Sequence, residues 1–121
     1  MAYPVTHPID ELRVYGRTSS VANGQTVSIA APFKGRIVKV GGMVSAAITT
    51  ADATCTTSIA GTAITGGAFT LTQSGSAQGT QSSSIPSAAN AVNEDDEIRF
   101  AFTGTGTAGG ETSLYAVVRR G

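Results

Sequence analysis

Few residues in this sequence could carry out catalysis. His7 is the only histidine and Cys55 is the only cysteine. Nucleophilic catalysis needs a base beside the nucleophile, and a triad built on His7 would require a segment held by Pro4 and Pro8 to lie across a pocket. A zinc site would lack a second histidine. The sequence therefore predicts no catalytic residues and a protein that is not an enzyme.

Two further motifs have the spacing of binding sites. Gly104, Gly106 and Gly109 match GxGxxG, but phosphate binding needs such glycines to open a helix, and residues 113–119 alternate like a strand. We therefore expect residues 103–110 to form a loop. Residues 94–97 are four consecutive acids without the alternate spacing and the glycine of a calcium loop. We expect a solvated turn there, with no bound metal and no cofactor elsewhere.

Strands must supply whatever surface this protein uses. Residues 44–48, 53–59 and 98–102 alternate apolar with small or polar residues, which predicts strands with one buried face. Cys55 is in phase with the buried side of the second run, so it should be a small buried hydrophobe. The pair Gly41-Gly42 should interrupt the apolar run that precedes it. Gly66-Gly67 is a hairpin signal.

The whole chain contains about eight predicted strands and no predicted helix. Residues 81–85 are suited to an edge strand, whereas residues 113–119 are apolar on both faces and should form a central strand or a subunit contact. The best fit is an all-β, two-sheet antiparallel sandwich of jelly-roll type. Its expected core, taken from the alternation phase, comprises Val27, Ile29, Val40, Val44, Ile48, Ile59, Phe69, Ile98, Phe100 and Leu114.

The domain organisation is simple. Residues 1–11 contain two prolines and are expected to form an extended N-terminal arm, and residues 12–121 are expected to form one β-sandwich domain. The formal net charge is zero, which argues against nonspecific nucleic-acid binding. No segment has the pattern of a signal peptide or the length of a membrane span, so we expect synthesis in a cytoplasm and no membrane partner.

Charge is unevenly distributed along the chain. Residues 1–39 carry five basic and two acidic groups, residues 40–98 carry five acidic groups and no basic one, and residues 99–121 carry three basic groups and one acidic. Large apolar residues are few, and a domain of this size buries only about two-thirds of its unfolded surface. Association with copies of itself or with a partner would bury more.

Residues 49–106 resemble the body of the small head-decoration, or cement, proteins of tailed bacteriophages. The resembling features follow one another in order: a small-residue strand at 53–59, GTAITGG at 61–67, LTQSGSAQGT at 71–80, and an acidic turn before the strand that begins at Ile98. The resemblance implies a jelly-roll-like domain that decorates and stabilises a capsid by bridging major capsid protein subunits. It also implies a homotrimer on the outer surface of a virion.

An N-terminal arm commonly makes part of the capsid contact in such proteins. The resemblance therefore makes five arm residues the candidate capsid contacts: Tyr3, Pro4, Val5, His7 and Pro8.

The alternative function is a virion fibre or surface binding module that recognises host carbohydrate. Sugar binding commonly uses aromatic side chains as stacking platforms. The candidates in this sequence are Tyr3, Tyr15 and Tyr115.

Overall fold

The structure, a computed structural model, describes residues 11–104, 107–108 and 110–120. The described residues contain no helix, and therefore none that could cross a membrane. Eight strands have three or more residues: β1 (Glu11–Thr18), β2 (Thr26–Ala30), β3 (Gly35–Val44), β5 (Ala53–Ile59), β7 (Phe69–Leu71), β8 (Gln81–Ser84), β10 (Glu97–Thr103) and β12 (Thr112–Arg120). Four have two residues: β4 (Ile48–Thr49), β6 (Thr62–Ala63), β9 (Ala91–Val92) and β11 (Thr107–Ala108).

The strands form two five-stranded antiparallel sheets. The first sheet has the order β1-β12-β3-β8, with β9 also paired to β3, and the second has the order β2-β10-β5-β6, with β7 also paired to β5. β4 and β11 form a separate two-stranded ribbon. The predicted all-β, two-sheet antiparallel sandwich is confirmed. The residues of the predicted arm other than Glu11, which begins β1, lie outside the described residues.

The apolar faces of the two sheets meet in one core. Of the ten predicted core residues, the two on β2, Val27 and Ile29, are only half-buried and pack against the margin of the core. β2 is an edge strand of its sheet, so one side of these residues has no strand beside it. The other eight are buried: Val40, Val44, Ile48, Ile59, Phe69, Ile98, Phe100 and Leu114.

β12 is a central strand, as its two apolar faces predicted. It pairs with β1 on one side and with β3 on the other. Leu114, Ala116 and Val118 point into the core and are fully buried, whereas Tyr115 and Val117 are half-buried on the opposite face. β8, within the predicted residues 81–85, lies at the edge of the same sheet.

The prediction that Gly41-Gly42 interrupts a strand is wrong, because β3 runs through both residues. A Cβ added at Gly42 would lie 2.8 Å from Cδ2 of Leu114, and one at Gly41 would lie 2.6 Å from the hydroxyl oxygen of Tyr115. The two glycines therefore make room for side chains that β12 places on both faces of the sheet. Glycine inside a strand commonly marks such a close approach.

The hairpin predicted at Gly66-Gly67 forms instead at Ala60-Gly61. These two residues join β5 to β6 and have φ angles of 49° and 90°, which is the pattern of a type I′ turn. Gly67 lies further along the returning chain, where a Cβ would come 2.2 Å from the Thr57 hydroxyl oxygen. That hydroxyl donates a 2.7 Å hydrogen bond to the Gly67 carbonyl, so the glycine pair lets the chain pass around Thr57.

Two shorter predictions also need correction. Residues 44–48 do not form one strand, because β3 ends at Val44, the chain bends at Ser45 and Ala46, and β4 begins at Ile48. Within the predicted loop 103–110, Thr107–Ala108 form β11 and pair with β4. Of that loop, residues 105, 106 and 109 lie outside the described residues.

Phe100 tests the core, because its ring is fully buried between the sheets. We expect Phe100→Ala to lower the free energy of unfolding by about 3–5 kcal/mol, since the substitution leaves a cavity that the sheets cannot fill. Urea denaturation followed by circular dichroism measures the change. Arg99→Ala, at the exposed neighbouring position, is the control and should cost far less. A loss below about 1 kcal/mol in Phe100→Ala would contradict the register of β10.

Candidate binding face

Of the residues considered for catalysis, only Cys55 lies within the described residues. Cys55 is fully buried, and its burial raises the pKa of the thiol to about 12. The thiol therefore stays protonated and is a poor nucleophile at neutral pH, which confirms the buried-hydrophobe interpretation. His7 lies outside the described residues, as do Tyr3, Pro4, Val5 and Pro8. Their proposed contact with a capsid stays a prediction.

The acidic run, residues 94–97, forms a turn that leads into β10. The Asn93 N–H donates a 2.8 Å hydrogen bond to the Asp96 carboxylate, and the Asp95 N–H donates a 2.9 Å bond to the Ala31 carbonyl. Asp95 has a φ of 70°, as expected for a tight turn. Over residues 11–104, 107–108 and 110–120, no three His, Cys, Asp or Glu side chains come together as a metal site. The predicted turn is confirmed.

The face of the first sheet that points away from the core brings two of the three candidate aromatic residues together. Tyr15 on β1 and Tyr115 on β12 are directly opposite in the strand register. Their ring centroids are 6.5 Å apart and their planes are inclined by 56°. Tyr3 lies outside the described residues. We call this surface the outer face; it consists of the outward-pointing residues of β1, β12, β3 and β8.

Tyr115 and Tyr15 are held differently on the outer face. The guanidinium carbon of Arg13 lies 4.3 Å from the ring centroid of Tyr115, within the range of a cation–π contact. The Tyr115 hydroxyl reaches over Gly41 of β3, so this ring is half-buried between a cation and the sheet. Tyr15 is 64% exposed and presents a ring to solvent.

Two adjoining grooves cross the outer face. The aromatic groove has a volume of about 340 Å³ and contains both tyrosines with Met43, Gln81 and Ser113. The basic groove has a volume of about 420 Å³ and has Val38, Val117 and Ile85 among its lining residues. Arg13 and Lys39 line both grooves, so they stand where the two meet.

A β-bulge in β3 determines which side chains of that strand line the basic groove. Val117 pairs with Lys39 but Val118 pairs with Ile37, so Val38 is an extra residue in β3. Ile37 and Val40 point into the core, and the two consecutive residues between them, Val38 and Lys39, both line the basic groove. Bulges of this kind redirect side chains and are common beside functional sites.

The outer face is strongly basic although the chain as a whole is neutral. Two of its cations are in ion pairs at its margins: Arg17 lies 3.3 Å from Glu111, and the Arg119 Nε donates a 2.7 Å hydrogen bond to Glu11. Five basic residues set against these two acids leave an excess of three positive charges. The five are Arg13, Arg17, Arg36, Lys39 and Arg119.

Exposed apolar side chains are concentrated on the same face. Of the four large hydrophobic side chains exposed within the described part of the chain, Tyr15, Met43 and Ile85 line its grooves. Ile85 is 74% exposed, immediately after the edge strand β8. A surface that combines apolar and charged side chains in this way is typical of a binding site.

Most residues of this site could not be assigned from the sequence. The alternation pattern predicts that Tyr15 and Tyr115 point away from the core. They lie next to each other only because β1 pairs with β12, and these two strands are almost a hundred residues apart in the chain. Lys39 joins them only because of the bulge. The basic excess within residues 1–39 was the one available signal, and it indicated no particular face.

The chain matches no protein-family model and no curated protein in sequence. It is similar in structure to a carbohydrate-binding module of Clostridium stercorarium, CBM6-3, solved in complex with cellobiose. That match has a TM-score of 0.52 and 15% identity, and it covers 98% of this chain and 87% of the other. A second similar structure is the carbohydrate-binding module CBM36 in complex with calcium and xylotriose, with a TM-score of 0.49, 17% identity, and coverage of 92% and 98%. The first match supports the β-sandwich fold.

Gly41 tests how Tyr115 is held. We expect Gly41→Ala to displace the Tyr115 ring and to lower the free energy of unfolding by about 1–3 kcal/mol, because the added methyl group also meets the Ser82 carbonyl oxygen at 2.7 Å. Near-ultraviolet circular dichroism of the tyrosines reports the displacement, and urea denaturation reports the stability. An unchanged spectrum together with unchanged stability would show that the ring does not lie over Gly41.

Proposed function

We propose that this protein is a non-catalytic carbohydrate-binding module whose outer face binds a saccharide. The observation that carries the proposal is the aromatic groove, where the exposed ring of Tyr15 stands beside the polar side chains of Arg13, Lys39 and Gln81. The shared β-sandwich fold of CBM6-3, solved with cellobiose, supports the proposal. Of the two functions that the sequence suggested, the carbohydrate-binding alternative therefore has the better support.

The chemistry of the aromatic groove suits a sugar ring. A pyranose has C–H groups on its ring faces and hydroxyl groups around its rim. The ring of Tyr15 offers a flat apolar surface for the C–H groups, and the tyrosine side chain loses little conformational freedom on binding. Arg13, Lys39, Gln81 and Ser113 supply hydrogen-bond donors and acceptors for the hydroxyl groups. Because the two grooves adjoin, a saccharide of several units can extend from one into the other.

Tyr15 is the residue to change. We expect Tyr15→Ala to weaken saccharide binding at least about tenfold, because an aromatic contact of roughly 1.4 kcal/mol is lost. The measurement is a glycan array followed by calorimetry with the saccharides that bind. Since the ring is 64% exposed, the substitution should leave the melting temperature nearly unchanged.

The control is Thr56→Ala, an exposed position on the second sheet. It should leave binding intact. If no saccharide on the array binds the unaltered protein, the proposed function is wrong. If saccharides bind and Tyr15→Ala binds them equally well, the site lies elsewhere on the molecule.

Capsid decoration is the second candidate, and the exposed side chains of Met43 and Ile85 favour it. These two side chains add apolar area that sugar hydroxyl groups do not need, and Met, Tyr and Arg are enriched at protein interfaces. In this proposal the outer face or the arm contacts the major capsid protein, and a homotrimer on the virion surface bridges neighbouring subunits. Three linked contacts can raise apparent affinity by about 10²–10⁴.

Ile85→Ser separates the two candidates. If the outer face binds a capsid, we expect this substitution to weaken co-sedimentation with capsids and to reduce the increase in capsid melting temperature that the added protein causes, because a ligand of the assembled shell stabilises it. Saccharide binding in the aromatic groove should be unaffected, since Ile85 does not line that groove. An unchanged capsid melting temperature at saturating protein would contradict capsid decoration.

A further inference from the structure

We propose that the saccharide is acidic and that its carboxylate or sulfate groups bind between Arg13 and Lys39. This inference rests on the proposed function and adds the chemical class of the ligand. The two side chains stand at the junction of the aromatic and basic grooves and line both. A sugar stacked on Tyr15 would therefore place a neighbouring acidic group beside two cations.

The strand register sets these cations on either side of one residue. Arg13 pairs with Val117, and Val117 pairs with Lys39, so the three residues form a row across β1, β12 and β3. Adjacent strands are about 4.8 Å apart, which places the backbones of Arg13 and Lys39 roughly 10 Å from each other. Val117 between them carries no polar group that could compete for an anion. Two long cationic side chains across such a gap can both reach one acidic group above Val117.

Arg13 is already oriented for this role. Its guanidinium carbon lies 4.3 Å from the Tyr115 ring centroid, and stacking on the ring limits the freedom of the guanidinium group. A planar guanidinium with fixed donors matches the geometry of a carboxylate or a sulfate. Lys39 makes no salt bridge with any residue from 11 to 104, 107–108 or 110–120. Both cations are therefore available to a ligand.

Glu11 lines the basic groove, whereas the other acidic side chains of the described residues line neither groove. Glu11 and Glu111 are the two acids at the outer face, and each is already in an ion pair, with Arg119 and Arg17. The acidic run lies in the turn before β10, a strand of the second sheet. Asp52 accepts a 2.8 Å hydrogen bond from the Gln73 N–H beside β5 and β7.

A like-charge pair in the first sheet gives a further reason to expect an anion. Arg36 and Arg119 are directly opposite in the register of β3 and β12, and like charges opposite each other destabilise a sheet. Glu11 compensates Arg119, but Arg36 makes no salt bridge in the described part of the chain. Arg36 borders the same surface beside Val38 and Ile85. An acidic saccharide that extends beyond the basic groove as far as Arg36 would relieve this repulsion.

The test compares matched ligands by calorimetry with the full chain. The probes are oligogalacturonate and its methyl ester, and a heparin oligosaccharide and its desulfated form. We expect each acidic form to bind at least about tenfold more tightly than its neutral counterpart, because two charge-assisted hydrogen bonds are lost in the latter. Binding of the acidic form should weaken as sodium chloride is raised, since exposed charges are screened.

Single substitutions test which basic side chains bind the acidic groups of the saccharide. Lys39→Gln should reduce affinity for the acidic forms about tenfold and affinity for the neutral forms much less, because the glutamine amide can still hydrogen-bond sugar hydroxyl groups but carries no charge, and Arg13→Gln should do the same. Lys39 is the sharper test because Arg13 also contacts the Tyr115 ring. The matched controls are Lys34→Gln in the connection before β3 and Arg99→Gln on the second sheet; each removes one positive charge away from both grooves and should leave all affinities unchanged.

The outcomes distinguish this inference from the proposed function. Neutral saccharides that bind as tightly as acidic ones, in a Tyr15-dependent manner, would overturn the inference and leave the proposed function standing. Binding of no saccharide, acidic or neutral, would overturn both. Tighter salt-dependent binding to a single-stranded DNA oligonucleotide or to a poly-glutamate peptide than to either acidic saccharide would also overturn both, because the face would then serve another polyanion.

Discussion

The structure depends on β12, whose two faces perform different tasks. Its pairing with β1 and β3 holds the first sheet together along almost its whole length. Leu114, Ala116 and Val118 are fully buried against the second sheet, and their alternating neighbours stand on the outer face. Because strand geometry sends successive side chains to opposite sides, the side chains that stabilise the core and those on the outer face can change independently.

The thinness of the core explains why glycine is needed at several contacts. A Cβ at Gly16 on β1 would lie 2.5 Å from Cγ1 of Val27 on β2, so the two sheets approach closely where their edges meet. Gly42 accommodates Leu114 in the core in the same way, while Gly41 accommodates Tyr115 on the opposite face. A close approach of sheets built from small residues leaves little room for added methyl groups.

Local pattern predicted the strands of this protein well, but it did not predict their pairing. The alternation of β5, β10 and β12 gave the correct buried faces, because each of these strands packs one side against the opposite sheet. The predictions failed at positions whose conformation depends on pairing with a strand that is distant in the chain. From the sequence, Gly41-Gly42 indicates the end of a strand, and only the positions of Tyr115 and Leu114 on the two faces of the sheet explain the glycines. Likewise, only the β-bulge shows that Val38 and Lys39 both lie on the outer face. Several positions of the outer face are of this kind.

The two outer surfaces of the sandwich differ in charge balance and in exposed apolar area. On the second sheet, hydroxyl groups satisfy one another, as Thr54 and Thr70 do at 3.4 Å, and the Ser28 hydroxyl donates to Glu97 and lowers the pKa of that carboxyl group, with Arg99 as a further cause. Its charges are thus neutralised locally. On the first sheet, cations are left in excess beside an exposed ring. A surface that needed only solubility would resemble the second sheet, and the unbalanced charge and exposed apolar area of the first are the reason we propose it as the binding side.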